Sequence, residues 1–234
     1  IIGIKVLYPS NGADLKGLMK AAYLDPNPVL VLEHKGLYWS KIRGTENAKT
    51  IEPDENYILP IGKAFKVIES EEKHENSGES VVVITYGRGV YWSLEASKSF
   101  AGQIEILDLR TLSPLDEDQI LKSVKKHGKS LIVTEEPSSA SFSIGIAGFI
   151  QENCFEFLDA PVKIIGSENT PAIPLNENLE FTYLPNANKV QKAISTLLEY
   201  WYPSFKFYVI DLFYIFITME YLNKVFFGNT IQQW

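Results

Sequence analysis

Gly87 and Gly89, in the stretch VVVITYGRGVYWSLEA, stand where the β-branched run Val81 to Thr85 gives way to a helical pattern. A strand that ends in glycines and opens a helix turns backbone N–H groups toward whatever lies above the helix N-terminus, and such a turn can cradle a phosphate. Asp108 closes another apolar run, QIEILDL, 21 residues after Gly87. A dinucleotide fold keeps the acid that binds a ribose hydroxyl near that spacing. Counted from Gly87, however, the third glycine of G-x-G-x-x-G would fall at Trp92. An indole cannot allow the close helix–strand packing that glycine allows. A turn that uses glycine for its backbone shape alone explains the same residues, so the stretch itself leaves both readings open.

The remaining groups capable of chemistry are few. His34, in LEHKGLY, follows a strand and could serve as a general base, but it reads as structural. His74 sits in a polar turn among Glu72, Lys73 and Glu75, and His127 ends a helix, where the dipole favours a cation. No H-x-H or H-E-x-x-H spacing occurs among the three, so they do not point to a transition-metal site. Cys154 is the single cysteine, which excludes an intrachain disulfide framework and the usual thiolate metal set and fits a reducing cytosol. It lies in GFIQENCFEFL, an amphipathic helix pattern, and reads as a buried structural thiol.

Composition limits the partners. With 234 residues, 45% hydrophobic and 22% charged, the chain can bury the core of one large domain or two small ones. A net charge of −7 argues against general nucleic-acid binding, which needs clustered Lys and Arg. The longest basic run, KSVKKHGK from Lys122 to Lys129, reads as the solvated end of a helix closed by Gly128. The start, IIGIKVLYPS, lacks the pattern of a secretory signal and has no initiator Met, so the chain is read as beginning inside a longer one.

These residues must be positioned by an alternation of strands and helices. Residues 4–8 read as a strand, 12–24 as a helix with Leu15, Leu18, Met19 and Ala22 on one face, and 29–33 as a strand. Residues 36–62 lack periodicity and read as an extended connector broken by Pro53 and Pro60. Strands are predicted at 63–69, 80–86, 103–108, 129–135 and 161–165, and helices at 89–100, 115–127, 142–157 and 186–200. Residues 70–80 read as a polar turn. Acids Asp116, Glu117 and Asp118 mark the start of the helix at 115–127, just after Pro114. The pattern predicts an α/β fold, a mainly parallel sheet flanked by helices and preceded by a βαβ piece.

Several blocks together carry a resemblance: GIKVLYPSNGADLKGLMKAAYLDPNPVLVLEHKGLY, ILPIGKAFKV, VVVITYGRGVYWSLEA, IEILDLRTLSPLDEDQI, SLIVTEEP and FLDAPVKIIGSENTPAIP. In this order and spacing they resemble the beta subunit, or beta half, of the thiamine-diphosphate-dependent first component of 2-oxo acid dehydrogenase complexes, over residues 1–201. The resemblance implies that residues 1–50 are the end of a pyrimidine-binding domain, 51–62 a linker and 63–201 a transketolase C-terminal domain. It implies that the cofactor's phosphates and a magnesium ion lie on the alpha partner, so that the Gly87 turn is architecture. Asp108, with Arg110 and Thr111, becomes a structural and interface cluster.

The catalytic histidine of that family would fall immediately before Ile1, in a pattern H-x-P-G whose glycine is matched by Gly3, and the cofactor-activating glutamate further upstream. None of the residues present is therefore implied to be catalytic or to bind thiamine diphosphate. Potassium ligands are implied at the Ala22 carbonyl, Asp25 and Asn27, oxygen donors suited to a hard cation. The turn chemistry of Asp25-Pro26-Asn27-Pro28 accounts for the same residues without an ion.

The implied partners are an alpha subunit, a second beta copy in a heterotetramer, and the peripheral-subunit-binding domain of the acyltransferase core, in the cytoplasm. The implied substrate is a branched-chain 2-oxo acid or pyruvate. The chain as it stands is expected to be inactive, and a purely non-catalytic interaction module, or a piece of a transketolase or deoxyxylulose phosphate synthase, remains the alternative. Residues 202–234 fall outside the resemblance and are dense in Phe and Tyr. Their apolar run Phe207 to Met219 is interrupted by Asp211 and is too short to span a bilayer. The tail reads as out-of-frame or read-through translation.

Overall fold

The first strand, β1 (Lys5–Leu7), leads through Asn11 into helix α1 (Gly12–Leu24) and then strand β2 (Val29–Val31), which lies parallel to β1 with Lys5 opposite Val29 and Leu7 opposite Val31. Asn11 caps the helix by accepting the Asp14 N–H at 2.9 Å, the role short amide side chains play at an N-cap. The computed structural model describes residues 3–40 and 42–200; the expectations for the histidine before Ile1 and for the tail 202–234 lie outside the described residues. The predicted apolar face of α1 is corrected. Leu18 is buried, but Met19 is 45% exposed, and Asp14 and Gly17 join Leu18 inside. The reason is contact with the connector: a Cβ on Gly17 would stand 2.7 Å from Leu59 and 2.8 Å from Tyr57, whose segment needs that close approach.

The connector is not wholly extended. It holds a four-residue helix α2 (Lys35–Tyr38) and a 3-10 turn Glu46–Ala48. Beyond it a five-stranded sheet forms in the order β3 (Phe65–Ile68), β5 (Ile104–Asp108), β4 (Val81–Thr85), β7 (Ser130–Pro137), β8 (Lys163–Ser167). All neighbours run parallel except β3, which pairs antiparallel with β5. A further strand, β6 (Thr111–Ser113), leaves this sheet and pairs antiparallel with β1, closing a three-stranded sheet β2-β1-β6. The described residues up to Glu199 thus form one compact unit built on two sheets.

The central strand β4 is buried along its whole length, so it shows no polar alternation. Its side chains still separate by face. Val81 and Val83 pack with Trp92 and Ala96 of helix α4 (Gly89–Ser97) and with Val190 and Ile194 of helix α8 (Ala187–Leu198). Val82 and Ile84 pack with Ile120 and Val124 of helix α5 (Glu117–His127) and with Ile146, Ile150 and Cys154 of helix α6 (Phe142–Cys154). A one-residue slip would exchange the two cores, which fixes the register. Cys154 is buried here as expected, and burial pushes its thiol up from its ordinary range. Besides α2, two further short helices were not predicted, α3 (Glu72–Asn76) in the polar turn and α7 (Glu177–Tyr183), the latter capped by the Asn176 side chain on the Asn178 and Leu179 amides. Among the described residues no helix is long and apolar enough to cross a membrane.

Two polar expectations change. Asp116 stands before α5, but its carboxylate does not cap that helix; it accepts the Ala64 N–H at 3.0 Å and the Lys63 ammonium at 3.2 Å. The run ending α5 is solvated only in part: Lys122 and Lys125 are exposed, but His127 is 2% and Lys129 1% exposed. Both face polar partners inside the fold. His127 Nδ1 pairs with the Ser80 hydroxyl at 2.7 Å, and Lys129 donates to the Gly78 carbonyl at 2.8 Å.

Close helix–strand packing falls on Gly89. A Cβ there would meet the Thr85 hydroxyl at 2.1 Å and the Val133 carbonyl at 3.0 Å, two groups already bonded to each other at 2.8 Å. Gly89→Ala is therefore expected to lower stability by about 1–3 kcal/mol, the usual effect of overpacking, as a fall in the urea midpoint. An unchanged midpoint would show that α4 can shift outward freely.

Candidate functional site

From β4 the chain crosses to β5 on one side and then to β7 on the other, so the sheet's switch point lies above the C-terminal ends of β4 and β7. Open α/β sheets ordinarily receive ligands in that crevice. Here it is bounded by Gly87-Arg88-Gly89 after β4 and by Glu135-Glu136 at the end of β7.

The glycine turn does not offer its helix-opening amides to a phosphate: the Gly89 N–H is bonded to the Tyr86 carbonyl at 3.1 Å, that of Val90 to Gly87 at 3.4 Å and that of Tyr91 to Arg88 at 3.0 Å. Gly87 has φ +56°, and a Cβ on it would lie 3.0 Å from the Tyr8 ring. The close approach that glycine permits is thus to an aromatic side chain of the chain's own first segment. Trp92, at the third-glycine position, is buried with the Arg88 guanidinium 4.9 Å from its ring centroid.

The crevice is filled by the N-terminal segment. His34 Nδ1 accepts the Gly36 N–H at 3.1 Å, which leaves the proton on Nε2, and Nε2 meets Glu135 at 2.8 Å. Arg88 lies 3.6 Å from the other Glu135 oxygen. Burial raises the Glu135 carboxyl, and the contacts of His34 and Arg88 more than reverse this, holding it below its ordinary range. Glu136 accepts the Tyr86 hydroxyl and the Ser143 N–H, each at 3.2 Å. Tyr8 beside them is pushed up to about 12, first by burial and then by Glu135 and Glu136. His34 is therefore a strut between β2 and β7 rather than a free base.

Asp108 does not face a ribose site. Its carboxylate accepts the Ser10 hydroxyl and, at 3.1 Å, the Arg110 N–H. Arg110 itself turns away to grip Asp14 with Nε and Nη2, both at 2.8 Å. Tyr91 donates to the Ser10 carbonyl at 2.7 Å. Thr111 accepts the Gly62 N–H at 3.1 Å. The cluster joins α1 to the larger sheet, which is a structural junction.

The remaining candidates lie apart. In the loop after α1, Asp25 accepts the Lys5 ammonium, the Asn27 N–H at 2.9 Å and the Asn27 amide at 3.1 Å, while its own N–H points at the Ala22 carbonyl at 3.3 Å. Lys5 and then Asn27 hold the Asp25 carboxyl below its ordinary range. His74 stands 3.6 Å from Glu79 in the α3 turn. Among the described residues no group of three or more His, Cys, Asp or Glu is placed to hold a metal. Sequence reasoning missed Tyr8, Ser10, Asp14, Glu135 and Glu136. Only the paired acids carried a signal, since two carboxylates at the C-terminal end of an apolar strand mark the crevice of an α/β sheet.

The pattern of the family described as transketolase, C-terminal domain, matches residues 70–190. The chain is 37% identical over 201 residues to the 2-oxoisovalerate dehydrogenase subunit beta of Bacillus subtilis (strain 168), covering 85% of this chain and 57% of that protein. It is 34% identical over 200 residues to the pyruvate dehydrogenase E1 component subunit beta of Rhizobium meliloti (strain 1021), covering 84% and 40%. It is 36% identical over 201 residues to the acetoin:2,6-dichlorophenolindophenol oxidoreductase subunit beta of Bacillus subtilis (strain 168), covering 85% and 54%. The chain thus spans about half the length of these curated relatives. Among solved structures, a split-gene transketolase described as an inactive beta4 tetramer superposes with a TM-score of 0.63 at 17% identity, over 84% of this chain and 58% of that one. That likeness speaks for the fold. With strand order, packing and matched pattern in agreement, the chain belongs to the transketolase C-terminal domain family, and its curated relatives include beta subunits of 2-oxo acid dehydrogenases.

Proposed function

We propose that this chain is the beta portion of a 2-oxo acid dehydrogenase, supplying subunit-interface and docking surface for the oxidative decarboxylation of a branched-chain 2-oxo acid or pyruvate and acyl transfer to lipoamide. The observation that carries this is the agreement with beta subunits across some 200 residues, and the 37% identity to a 2-oxoisovalerate dehydrogenase subunit favours the branched-chain acid as the first substrate to try. The filled crevice supports a non-catalytic role for residues 63–201. Its polar groups are bonded to one another, so the domain offers surface rather than a reaction centre.

The two sheets support reading residues 1–50 as the end of a pyrimidine-binding domain and 51–62 as a linker. The described residues do not fit the diphosphate of thiamine diphosphate or its magnesium ion, because the amides that begin α4 are engaged. Those groups are assigned to the alpha partner and to sequence outside this chain. The assembly is read as a cytoplasmic heterotetramer with alpha subunits and a second beta copy, docked to the peripheral-subunit-binding domain of the acyltransferase core.

The test uses the purified chain with a cognate alpha subunit, thiamine diphosphate and magnesium. No 2-oxo-acid-dependent release of carbon dioxide is expected, while association with the alpha subunit is expected by light scattering. Turnover would overturn the non-catalytic assignment, and failure to associate would overturn the docking role.

The loop of Ala22, Asp25 and Asn27 fits potassium only in part, since Lys5 already places an ammonium on Asp25. The Ala22 carbonyl and the Asn27 amide oxygen are the donors that remain for the ion. If they hold it, the melting temperature should be higher in potassium chloride than in tetramethylammonium chloride of equal concentration. Equal values would remove the ion from this loop.

A further inference from the structure

The junction between α1 and the larger sheet holds two buried carboxylates and one guanidinium. Asp14 is 2% and Asp108 1% exposed. Arg110 is committed to Asp14 by both of its bonds, so Asp108 is left with two neutral donors, the Ser10 hydroxyl and the Arg110 backbone N–H. Helix α1 presents Asp14, the turn before it presents Ser10, α4 presents the Tyr91 phenol, and the β5–β6 turn presents Arg110, whose guanidinium lies 4.3 Å from the Phe65 ring centroid of β3. β4 contributes only Thr85, whose hydroxyl is bonded to Val133. With Asp108 ionised, the pocket would carry two negative charges against one positive.

We propose that Asp108 is the proton-holding member of a latch that ties the N-terminal segment to the larger sheet, closed while Asp108 is neutral and loosened when it ionises. A neutral Asp108 can donate its proton to the Ser10 oxygen, reversing that bond without breaking it, while the Arg110 N–H still reaches the other oxygen. The ionised form keeps both bonds but faces Asp14 with no cation of its own. Burial, and after it the Asp14 charge, against the pull of Ser10 and Arg110, pushes the Asp108 carboxyl up to about 7.

The sign follows from linkage. A carboxyl that binds its proton more tightly folded than unfolded stabilises the fold most on the acid side, and that stabilisation is lost as pH rises from the ordinary carboxylate range through about 7. The junction should therefore open on the alkaline side of neutral. The latch needs no cofactor and no partner, so its failure would leave the proposed function untouched.

The first experiment is an infrared pH titration of the unaltered full chain. A carbonyl-stretch band of a protonated carboxyl should disappear on going from about pH 6 to about pH 8.5. Absence of any such titrating band would overturn the proposal, whatever the variants do. Asp108→Asn, which mimics the neutral form, should lack the band and should lose the fall in melting temperature that the unaltered chain shows over the same range. A persisting band, or an unchanged slope, would also overturn it. If Asp108→Asn does not fold, Ser10→Ala serves in its place. Loss of a hydroxyl that steadies the carboxylate should move the band's midpoint to higher pH, and an unmoved midpoint would remove the latch.

Discussion

Glu105→Ala is expected to destabilise the chain by about 3 kcal/mol, read as a fall in the urea midpoint. Glu105 is the second residue of β5, with its side chain fully buried. It accepts the Ser123 hydroxyl and meets Lys126 at 2.6 Å, Lys66 at 3.3 Å and the buried His127 ring at 3.5 Å. Removing it leaves these cationic and polar groups around a hole with no acceptor, the condition under which broken buried ion pairs cost about 3–5 kcal/mol. The lower end applies because the Lys66 and Lys126 side chains are 24% and 27% exposed and can reach water. Glu105→Gln keeps the shape and one acceptor and should cost about 2 kcal/mol, less than alanine. A loss under about 0.5 kcal/mol for both would show that the cluster is not energetically coupled to the fold.

The same cluster fixes an acid limit. Burial raises the Glu105 carboxyl, but His127, Lys126 and Ser123 more than reverse this and hold it far below the ordinary range. A carboxyl depressed in the fold contributes stability that is present above the unfolded value, near 4, and is lost as pH falls below it. This window lies on the acid side of the one assigned to Asp108. The unaltered chain should lose stability in both directions, and Glu105→Gln should flatten only the acid limb. An acid limb of unchanged slope in that variant would assign acid unfolding to other groups.

The two cases also show what was legible in the sequence. Strand and helix positions were, because each central strand is apolar on both faces and each helix carries its own period. Bounds fell within a few residues, as with helix 12–24, found as Gly12–Leu24. The direction of β3 was not legible, nor was β6, since a three-residue strand whose partner β1 lies far back in the chain leaves no local pattern. The burial of His127 and Lys129 was hidden by the default that charged residues face water. One clue existed: Glu105 interrupts IEILD, and an acid inside a fully buried strand requires cations, which the run Lys122 to Lys129 supplies. At the switch point, Trp92 already spoke against a phosphate cradle. That Tyr8 and His34 fill the crevice depends on contacts between separate sheets and could not be read from either segment alone.

Arg110→Ala should destabilise the chain by about 4 kcal/mol and loosen α1 in particular. The Asp14 carboxylate would keep only the Asn11 side-chain amide as a donor, at 2.9 Å, while remaining buried near Asp108. Arg110→Lys should recover no more than about half, because an ammonium cannot supply the two parallel bonds or stack on Phe65. Backbone conformation adds a distinction that a simple ion-pair account lacks. Arg110 has φ +57°, where a residue with a Cβ is held at a cost of about 1 kcal/mol or more that glycine avoids. Arg110→Gly should therefore lose less than Arg110→Ala, although it removes more of the side chain. The double variant Asp14→Asn, Arg110→Ala should be less damaging than the two single losses summed, by about 1–3 kcal/mol. Without the guanidinium, Asp108 relieves the repulsion by holding its proton, so the Arg110→Ala deficit should shrink as pH is lowered toward 6. Equal losses for alanine and glycine would show that the strain at residue 110 is not stored in the fold, and strict additivity of the double variant would show that Arg110 and Asp14 do not act as a pair.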